Sequence, residues 1–289
     1  MNRLIYPFRL FSCIALWTLG VDALAYDGLI SARTSEHSGI VLRLAQVLDE
    51  SGTQPAPQIG RDTHLTLREH REKLSNGSPD WTDTSVEIMH HFAPCKTLSG
   101  TVTESSRFGL VDRTLTMEGY YPLSERTTAN LLVAGSDTHR VLARSNLHAQ
   151  LHRMLGNGWG VAGGARRANY NNASVEIADL TLERDFSDYR AALSVLPAHS
   201  STAGSAPSYR AQFAWYYGNE NRLQFMMSRG TEVDRPTGVN LVIATPVRST
   251  VVYGQNWLSL AWALDYSVGR TTQGSVARNA VGVGLRHSY

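Results

Sequence analysis

Residues 209–217, with the sequence YRAQFAWYY, decide the fold class of this chain. Apolar or aromatic side chains occupy every second position, at Tyr209, Ala211, Phe213, Trp215 and Tyr217. Arg210 and Gln212 lie between them, and a period of two puts the two sets on opposite faces of a strand. The stretch therefore predicts a β-strand with one apolar face and one polar face.

The same alternation recurs on both sides of this stretch. It is present in residues 65–68, 85–92, 114–121, 146–152, 179–183, 258–265 and 281–286. The segments run about 10 to 13 residues, longer than the ~5 or 6 of soluble strands and close to the ~9 to 11 that cross a membrane at a tilt. The pattern predicts an all-β, up-and-down antiparallel transmembrane β-barrel over residues 61–289, with a soluble β-sandwich as the alternative.

The connections between these segments alternate between short and long. The short ones are predicted at 93–96, 123–125, 156–158, 186–188, 218–221 and 254–256, and the long ones at 75–81, 105–112, 136–140, 170–174, 199–208, 231–238 and 269–275. Outer-membrane barrels have short periplasmic turns and longer outer loops, so both termini are predicted to be periplasmic. The count is about 14 strands. Pro246 interrupts the segment 239–253, and merging strands there or at the first hairpin would give about 12.

The N-terminal residues have the features of an export signal. Arg3 and Arg9 form a positively charged segment before an apolar run at 10–19, and Ala23-Leu24-Ala25 forms a small-residue cleavage box, so residues 1–25 are predicted to be a signal peptide. No run of ~18 apolar residues follows residue 19, so no transmembrane helix is predicted. Residues 26–60 form a predicted periplasmic segment, either a degenerate helical hairpin with a linker or a disordered tail. Export alone would also allow a soluble periplasmic or secreted protein.

The C-terminal residues predict a partner. Val281, Val283 and Leu285 alternate with small or polar residues, and the chain stops at Tyr289. An amphipathic last strand ending in an aromatic residue resembles the signal read by the outer-membrane barrel assembly machinery, although His287 stands where an apolar residue is usual. Outer-membrane lipid is the second expected partner. The net charge of +2 predicts no nucleic-acid partner.

Tryptophan and tyrosine side chains recur near the predicted strand ends. They are Trp81, Tyr120, Tyr121, Trp159, Tyr209, Trp215, Tyr217, Trp257 and Tyr289. Such rings favour the headgroup level of a membrane because they combine an apolar body with a polar edge. We therefore expect them to form interfacial belts.

If the apolar side chains face lipid, the polar side chains of the same strands face the interior. The candidate lumen residues are Arg68, His70, Glu87, His91, Glu118, His148, Asp179, Glu183, Arg210 and Asp265. Their mixed signs allow pairing across strands, as buried charges require. We expect a polar plug or a water-filled interior held by hydrogen bonds.

No catalytic, cofactor or metal site is expected. His148 and His152 lie ~13 Å apart on a strand, too far to bind one ion together. Cys95 remains alone once the signal peptide with Cys13 is removed, and its surroundings resemble neither a nucleophile nor a metal site. The catalytic alternative is a cluster of Asp83, Asp137 and His139 at the outer rim.

Four stretches share features with a known family. They are residues 78–92, which open with SPDWTDT, Arg107-Phe108-Gly109-Leu110 with Asp112, the Gly156–Gly160 turn and Ser228-Arg229-Gly230-Thr231. Together they resemble the YaiO-type family of outer-membrane β-barrels. The resemblance runs from about residue 65 to residue 289 and implies an outer-membrane location. Some members have tetratricopeptide-like helices before the barrel, and residues 26–52 resemble a degenerate remnant of one.

These observations predict an integral outer-membrane barrel of the bacterial cell envelope. Its expected role is a porin-like pore or a component of surface-polysaccharide or solute passage. The alternatives are a rim-active enzyme on lipid or peptide and a non-catalytic surface-binding or accessory barrel.

Overall fold

The computed structural model describes residues 62–93, 95–201, 204–218, 220–234 and 243–289. Every regular element in these ranges is a β-strand, and no helix in them is long and apolar enough to cross a membrane. The strands are β1 Thr63–Leu74, β2 Trp81–Ala93, β3 Lys96–Arg107, β4 Leu110–Ser124, β5 Thr127–Ser136, β6 Ser145–Gly156, β7 Trp159–Asn169, β8 Ser174–Phe186, β9 Tyr189–Ser200, β10 Gly204–Tyr217, β11 Asn221–Asp234, β12 Ile243–Trp257, β13 Trp262–Gln273 and β14 Val276–Ser288. The predicted signal peptide and the segment 26–60 lie outside the described residues.

The strands form one closed antiparallel barrel in which each strand pairs with its sequence neighbours. β1 and β14 close it, from His64 opposite Ser288 to Leu74 opposite Arg278. The predicted barrel with fourteen strands is confirmed, and the alternative of twelve is wrong. Pro246 does not break β12, because it lies near the start of that strand, opposite Thr231 on β11.

The two faces of the sheet have opposite character. Large apolar side chains such as Leu67, Ile88 and Leu193 lie on the outer surface, where 55–65% of their area is exposed in the isolated chain. Polar and charged side chains alternate with them and are buried inside the barrel. A continuous exposed apolar surface of this kind needs lipid to cover it.

The connections divide into two ends. The end with Thr63 and Ser288, called the terminal end here, has the connections 94–95, 125–126, 157–158, 187–188, 218–220 and 258–261. The opposite or far end has 75–80, 108–109, 137–144, 170–173, 201–203, 235–242 and 274–275. The predicted contrast in length holds for 75–80, 137–144 and 235–242. It is wrong for 108–109, 201–203 and 274–275, because the flanking strands keep their ladder pairing almost to the turn.

One predicted turn is in the wrong place. Residues 254–256, with the sequence GQN, continue β12, and the chain turns only at residues 258–261. Gly254 lies directly opposite Tyr266 on β13, and a Cβ on Gly254 would be 2.0 Å from the Tyr266 ring. The glycine is therefore needed for ring packing across two strands, and the predicted strand members Leu258 and Leu260 lie in the exposed turn.

Aromatic side chains surround the outer surface of the terminal end. Phe92, Tyr121, Trp159, Phe186, Tyr189, Trp215, Trp262 and Tyr289 are all exposed there. Trp262 and Tyr289 place their rings 4.4 and 4.5 Å from the His287 imidazole, so this histidine belongs to the aromatic row. Three of the predicted belt residues are misplaced. Trp81 and Tyr120 face the interior and are buried, and Trp257 also turns inward, where its ring meets that of the buried His64 edge-on at 6.5 Å.

Candidate functional site

The barrel interior is the candidate functional site. All ten residues predicted for the lumen lie on inward-facing positions. Seven are buried, namely Arg68, His70, Glu87, Asp179, Glu183, Arg210 and Asp265, and His91, Glu118 and His148 are partly buried. Their functional groups form several separate clusters along the wall of the barrel.

The first cluster joins β13, β14, β1 and β2. Arg68 on β1 donates to Glu87 Oε2 on β2 at 2.9 Å and to Asp265 Oδ2 on β13 at 3.1 Å. Arg286 on β14 donates to the same Asp265 oxygen at 3.3 Å. Two guanidiniums and two carboxylates thus form one chain of charge-assisted hydrogen bonds inside the barrel. Arg286 was not among the candidates, although its alternation with Leu285 and Val283 already places it on the inner face.

A second cluster joins β6 and β8 across β7. His148 Nε2 lies 3.1 Å from Asp179 Oδ2, and Gln150 Nε2 donates to Asp179 Oδ1. His152 Nε2 lies 3.1 Å from Glu183 Oε1. Glu183 also lies within ion-pair distance of Arg190 on β9. Each histidine therefore has its own carboxylate partner.

Glycines on the intervening strands make these contacts possible. Gly160 and Gly164 face the interior from β7, where a Cβ would lie 2.5 Å from Glu183 Oε1 or from Asp179 Oδ2. On β14, a Cβ on Gly284 would lie 2.6 Å from Arg68 Cγ. In each case the missing side chain leaves room for an acid and a base two strands apart to meet.

The remaining predicted residues have local partners. Tyr120 Oη and Asn130 Nδ2 donate to Glu118 Oε1 at 2.7 and 3.0 Å. Near the terminal end, His91 Nδ1 is 3.0 Å from Thr97 Oγ1, and its ring meets that of His64 edge-on at 5.0 Å. Arg210 interacts electrostatically with Asp179, which links β10 to the second cluster.

A cluster near the far end was not predicted. The Trp81 ring has the guanidinium of Arg107 at 4.8 Å and that of Arg278 at 4.9 Å. Arg278 lies 3.7 Å from Glu72, which is also 3.2 Å from His70. Trp81 alternates in step with Asp83 and Glu87 on β2, and this spacing could have predicted that its ring faces the interior.

The interior also has apolar patches. Val175 and Ile177 on β8 pack with Leu196 and Ala198 on β9, and Tyr170 packs against them. A second patch joins Met226 on β11 to Val251 and Tyr253 on β12. The wall is therefore mixed, with ion-paired and apolar regions side by side.

The predicted rim cluster is not assembled. Asp83 faces inward and lies 3.4 Å from Arg107. Asp137 Oδ1 instead accepts the backbone N–H of Arg113 at 3.2 Å and that of Thr138 at 2.6 Å. These backbone donors, the one from Arg113 above all, hold the pKa of Asp137 below its usual range.

One carboxylate accepts several hydrogen bonds from the far-end loop 137–144. Asp112 Oδ2 on β4 accepts the backbone N–H groups of Val141 and Leu142 at 2.7 and 2.9 Å. The Thr138 hydroxyl donates to Asp112 Oδ1. Asp112 therefore stabilises the shape of this loop, because it accepts hydrogen bonds from backbone N–H groups that have no partner in a neighbouring strand.

Side chains of the kinds that bind metal ions do not come together within the described ranges. No group of three or more histidine, cysteine or acidic side chains there is close enough to hold a metal ion. His148 contacts Asp179 and His152 contacts Glu183, so the two histidines do not share a position where one ion could bind both.

The chain is similar to several solved structures at low sequence identity. The monoaromatic hydrocarbon channel CymD is 10% identical, with a TM-score of 0.49 over 80% of this chain and 90% of that chain. A loop-deletion mutant of OmpT, an outer membrane protein of Vibrio cholerae, is 9% identical, with a TM-score of 0.46 over 79% of this chain and 98% of that chain. The KdgM porin is 11% identical, with a TM-score of 0.42 over 78% and 99%.

No curated protein sequence matches the chain. The YaiO membrane beta barrel domain, however, matches residues 62–235. This match spans β1 to β11 and covers more than half of the chain, and the remaining strands complete the same closed sheet. The chain belongs to the YaiO family of outer-membrane β-barrels.

Proposed function

We propose that this barrel provides a narrow passage for small polar solutes across the outer membrane, either alone or as a component of surface-polysaccharide transport. The observation that carries the proposal is the interior lining of mutually paired charges around Arg68, Glu87, Asp265 and Arg286. Paired charges of both signs hold water and ions without a strong preference for one sign. Because these side chains are buried, any passage between them has a small bore.

The proposal includes an orientation with both termini in the periplasm. The connections at the terminal end are uniformly short, whereas 75–80, 137–144 and 235–242 lie at the far end. A peptide tag inserted after Gly77 should bind antibody on intact cells, whereas a tag inserted between Asn157 and Gly158 should need a permeabilised outer membrane. The opposite result would reverse the orientation.

Planar-bilayer recording tests the passage itself. We expect small conductance steps and a reversal potential near zero in a salt gradient. Arg68→Gln with Arg286→Gln should shift selectivity toward cations, and Glu87→Gln with Asp265→Asn should shift it toward anions. Heat-modifiable gel migration would first establish that each variant is folded. Silence of the wild-type protein across a range of salts would count against a pore and favour the accessory or receptor-like barrel.

We also propose that the barrel is not an enzyme. The histidine–carboxylate pairs His148–Asp179 and His152–Glu183 lie inside the wall, away from the exposed rim residue Asp137. Incubation of the purified protein with outer-membrane lipids and with peptides, followed by mass spectrometry, should yield no product. A product formed by the wild type and lost in His148→Gln would show that this part of the proposal is wrong.

A further inference from the structure

Three arginines form a positive patch on the outer surface near the far end. Arg229 on β11, Arg248 on β12 and Arg270 on β13 are all exposed. Arg229 lies directly opposite Arg248 in the ladder, and Arg270 lies two residues from Thr272, the partner of Arg248. Side chains directly opposite on a sheet start ~5 Å apart and diagonal ones ~7–8 Å apart. The three guanidiniums can therefore reach one common ligand.

The patch differs from the other outward-facing arginines at this end. Arg71 pairs with Asp80 at 2.8 Å, Arg113 with Glu104 at 2.9 Å, and Arg167 with Glu176 at 3.3 Å. Among the described side chains, no acidic group lies within ion-pair distance of Arg229, Arg248 or Arg270. Like charges directly opposite each other destabilise a strand pair, so an anion bound between Arg229 and Arg248 would relieve a repulsion.

The depth of the patch indicates where that anion comes from. Two to four residues nearer the terminal end, β11, β13 and β14 expose Phe225, Val268 and Val281 on the outer surface. Because two strand residues span ~7 Å, the arginines begin where the apolar band ends. Tyr209 lies directly opposite Arg229 and exposes its ring at the same level. Arginine and tyrosine at this depth face lipid headgroups, not the lumen.

We propose that Arg229, Arg248 and Arg270 bind phosphate groups on the headgroup of the outer-leaflet lipid. The guanidinium fork matches the geometry of a phosphate and forms charge-assisted, bidentate hydrogen bonds to it. The site rests on the proposed orientation, which puts the far end at the outer leaflet. It holds lipid against β11–β13 on the outside of the barrel and is independent of whether the interior conducts.

Lipid retention on the purified protein tests the site. The protein in detergent micelles would be titrated with bisphosphorylated lipid A, with the same lipid after removal of its phosphates, and with phosphatidylglycerol. Bound lipid would be counted by native mass spectrometry. We expect the wild type to retain bisphosphorylated lipid A best. The triple variant R229Q/R248Q/R270Q should bind it at least about tenfold more weakly, because it loses the charge-assisted hydrogen bonds from three guanidiniums to the phosphates.

The matched control removes the same amount of charge from the same end of the barrel. R71Q/R113Q/R167Q neutralises three arginines that already have acidic partners, so its affinity for lipid A should remain close to that of the wild type. If the patch triple fails to fold by heat-modifiable migration, Arg248→Gln alone should still weaken binding. Equal losses in the two triple variants, or equal binding of lipid A with and without phosphates, would overturn the proposal.

Other ligands have distinct outcomes. Displacement of lipid A by millimolar inorganic phosphate alone would indicate a site for free phosphate and count against the lipid. Stronger binding of phosphatidylglycerol than of lipid A would assign the patch to the inner leaflet and overturn the proposal together with the orientation. If the bilayer recording is silent but lipid retention depends on phosphate, the pore proposal is wrong and the proposal of a lipid site is supported.

Discussion

At the scale of single residues, inward-facing glycines decide which charges can meet inside this barrel. Neighbouring strands hold their side chains side by side, so an acid and a base two strands apart are normally separated by the side chain between them. Gly164 on β7 leaves that place empty, and Asp179 reaches His148 and Gln150 through it. Gly284 on β14 does the same for Arg68 and Asp265.

Gly164→Val should destabilise the barrel strongly. A Cβ at Gly164 would lie 2.5 Å from Asp179 Oδ2 and 2.8 Å from the Ala149 carbonyl oxygen, so the buried carboxylate must leave its partners. Breaking a buried pair costs roughly 3–5 kcal/mol. Urea titration followed by heat-modifiable migration measures the loss. Gly163→Val is the matched control, because Gly163 faces outward and its nearest heavy atom would be 4.0 Å away. Equal losses at the two positions would contradict this explanation.

Carboxylates inside and outside the barrel should differ in their contribution to stability. Asp265 lies 3.1 Å from Arg68 and 3.3 Å from Arg286, and all three side chains are buried. Glu104 lies 2.9 Å from Arg113, but both are largely exposed. We expect Asp265→Asn to lower the free energy of unfolding by roughly 3–5 kcal/mol and Glu104→Gln by at most about 1 kcal/mol. The same urea titration compares the two, and a reversed order would refute the prediction.

At the scale of strands and loops, the sequence predicts faces better than it predicts ends. The period of two places Asp179, Glu183 and Arg210 on the inner face, because alternation depends only on local geometry. Which of these side chains meet depends on the register between strands. The alternation of residues along one strand does not determine that register. Gly254 shows the limit. Its neighbours Gln255 and Asn256 have turn-forming composition, but packing of the Tyr266 ring across the glycine keeps the strand going.

The loop 137–144 should depend on Asp112. This carboxylate accepts the backbone N–H groups of Val141 and Leu142, and its loss would leave both donors without their partner. Asp112→Ala should therefore speed trypsin cleavage after Arg140 and Arg144 by about tenfold or more, since a hydrogen bond to a charged group contributes roughly 1.5–3 kcal/mol. The barrel itself should stay heat-modifiable. Glu125→Ala, which alters an exposed turn at the opposite end, is the control. An unchanged cleavage rate in Asp112→Ala would show that other contacts hold the loop.

At the scale of the whole molecule, the aromatic row at the terminal end and the charged side chains at the far end bracket an apolar band. Tyr289 ends this row, and its backbone N–H donates to the Thr63 carbonyl at 2.9 Å across the closing strands. Its exposed ring adds little packing within the barrel, where it contacts His287. We propose that the barrel assembly machinery recognises this exposed residue.

Tyr289→Ser should separate assembly in cells from folding in the test tube. We expect the variant to accumulate in the outer membrane at a markedly lower level, because the proposed assembly signal is lost. Refolding into detergent micelles should proceed at nearly the wild-type yield, because β14 keeps its pairing with β1 and β13. Quantitative blotting of outer-membrane fractions and heat-modifiable migration give the two readings. Equal defects in both would assign Tyr289 a purely structural role.

The pairing of β1 with β14 has a consequence for how cells discard faulty copies. A chain that stops before Val276 lacks all 13 residues of the last strand and leaves β1 and β13 with unpaired backbone groups. Hydrocarbon offers no water to satisfy them, so such a product cannot persist in the bilayer, and its open edges invite aggregation and proteolysis instead. A copy that stays in the membrane has therefore been translated through its last strand.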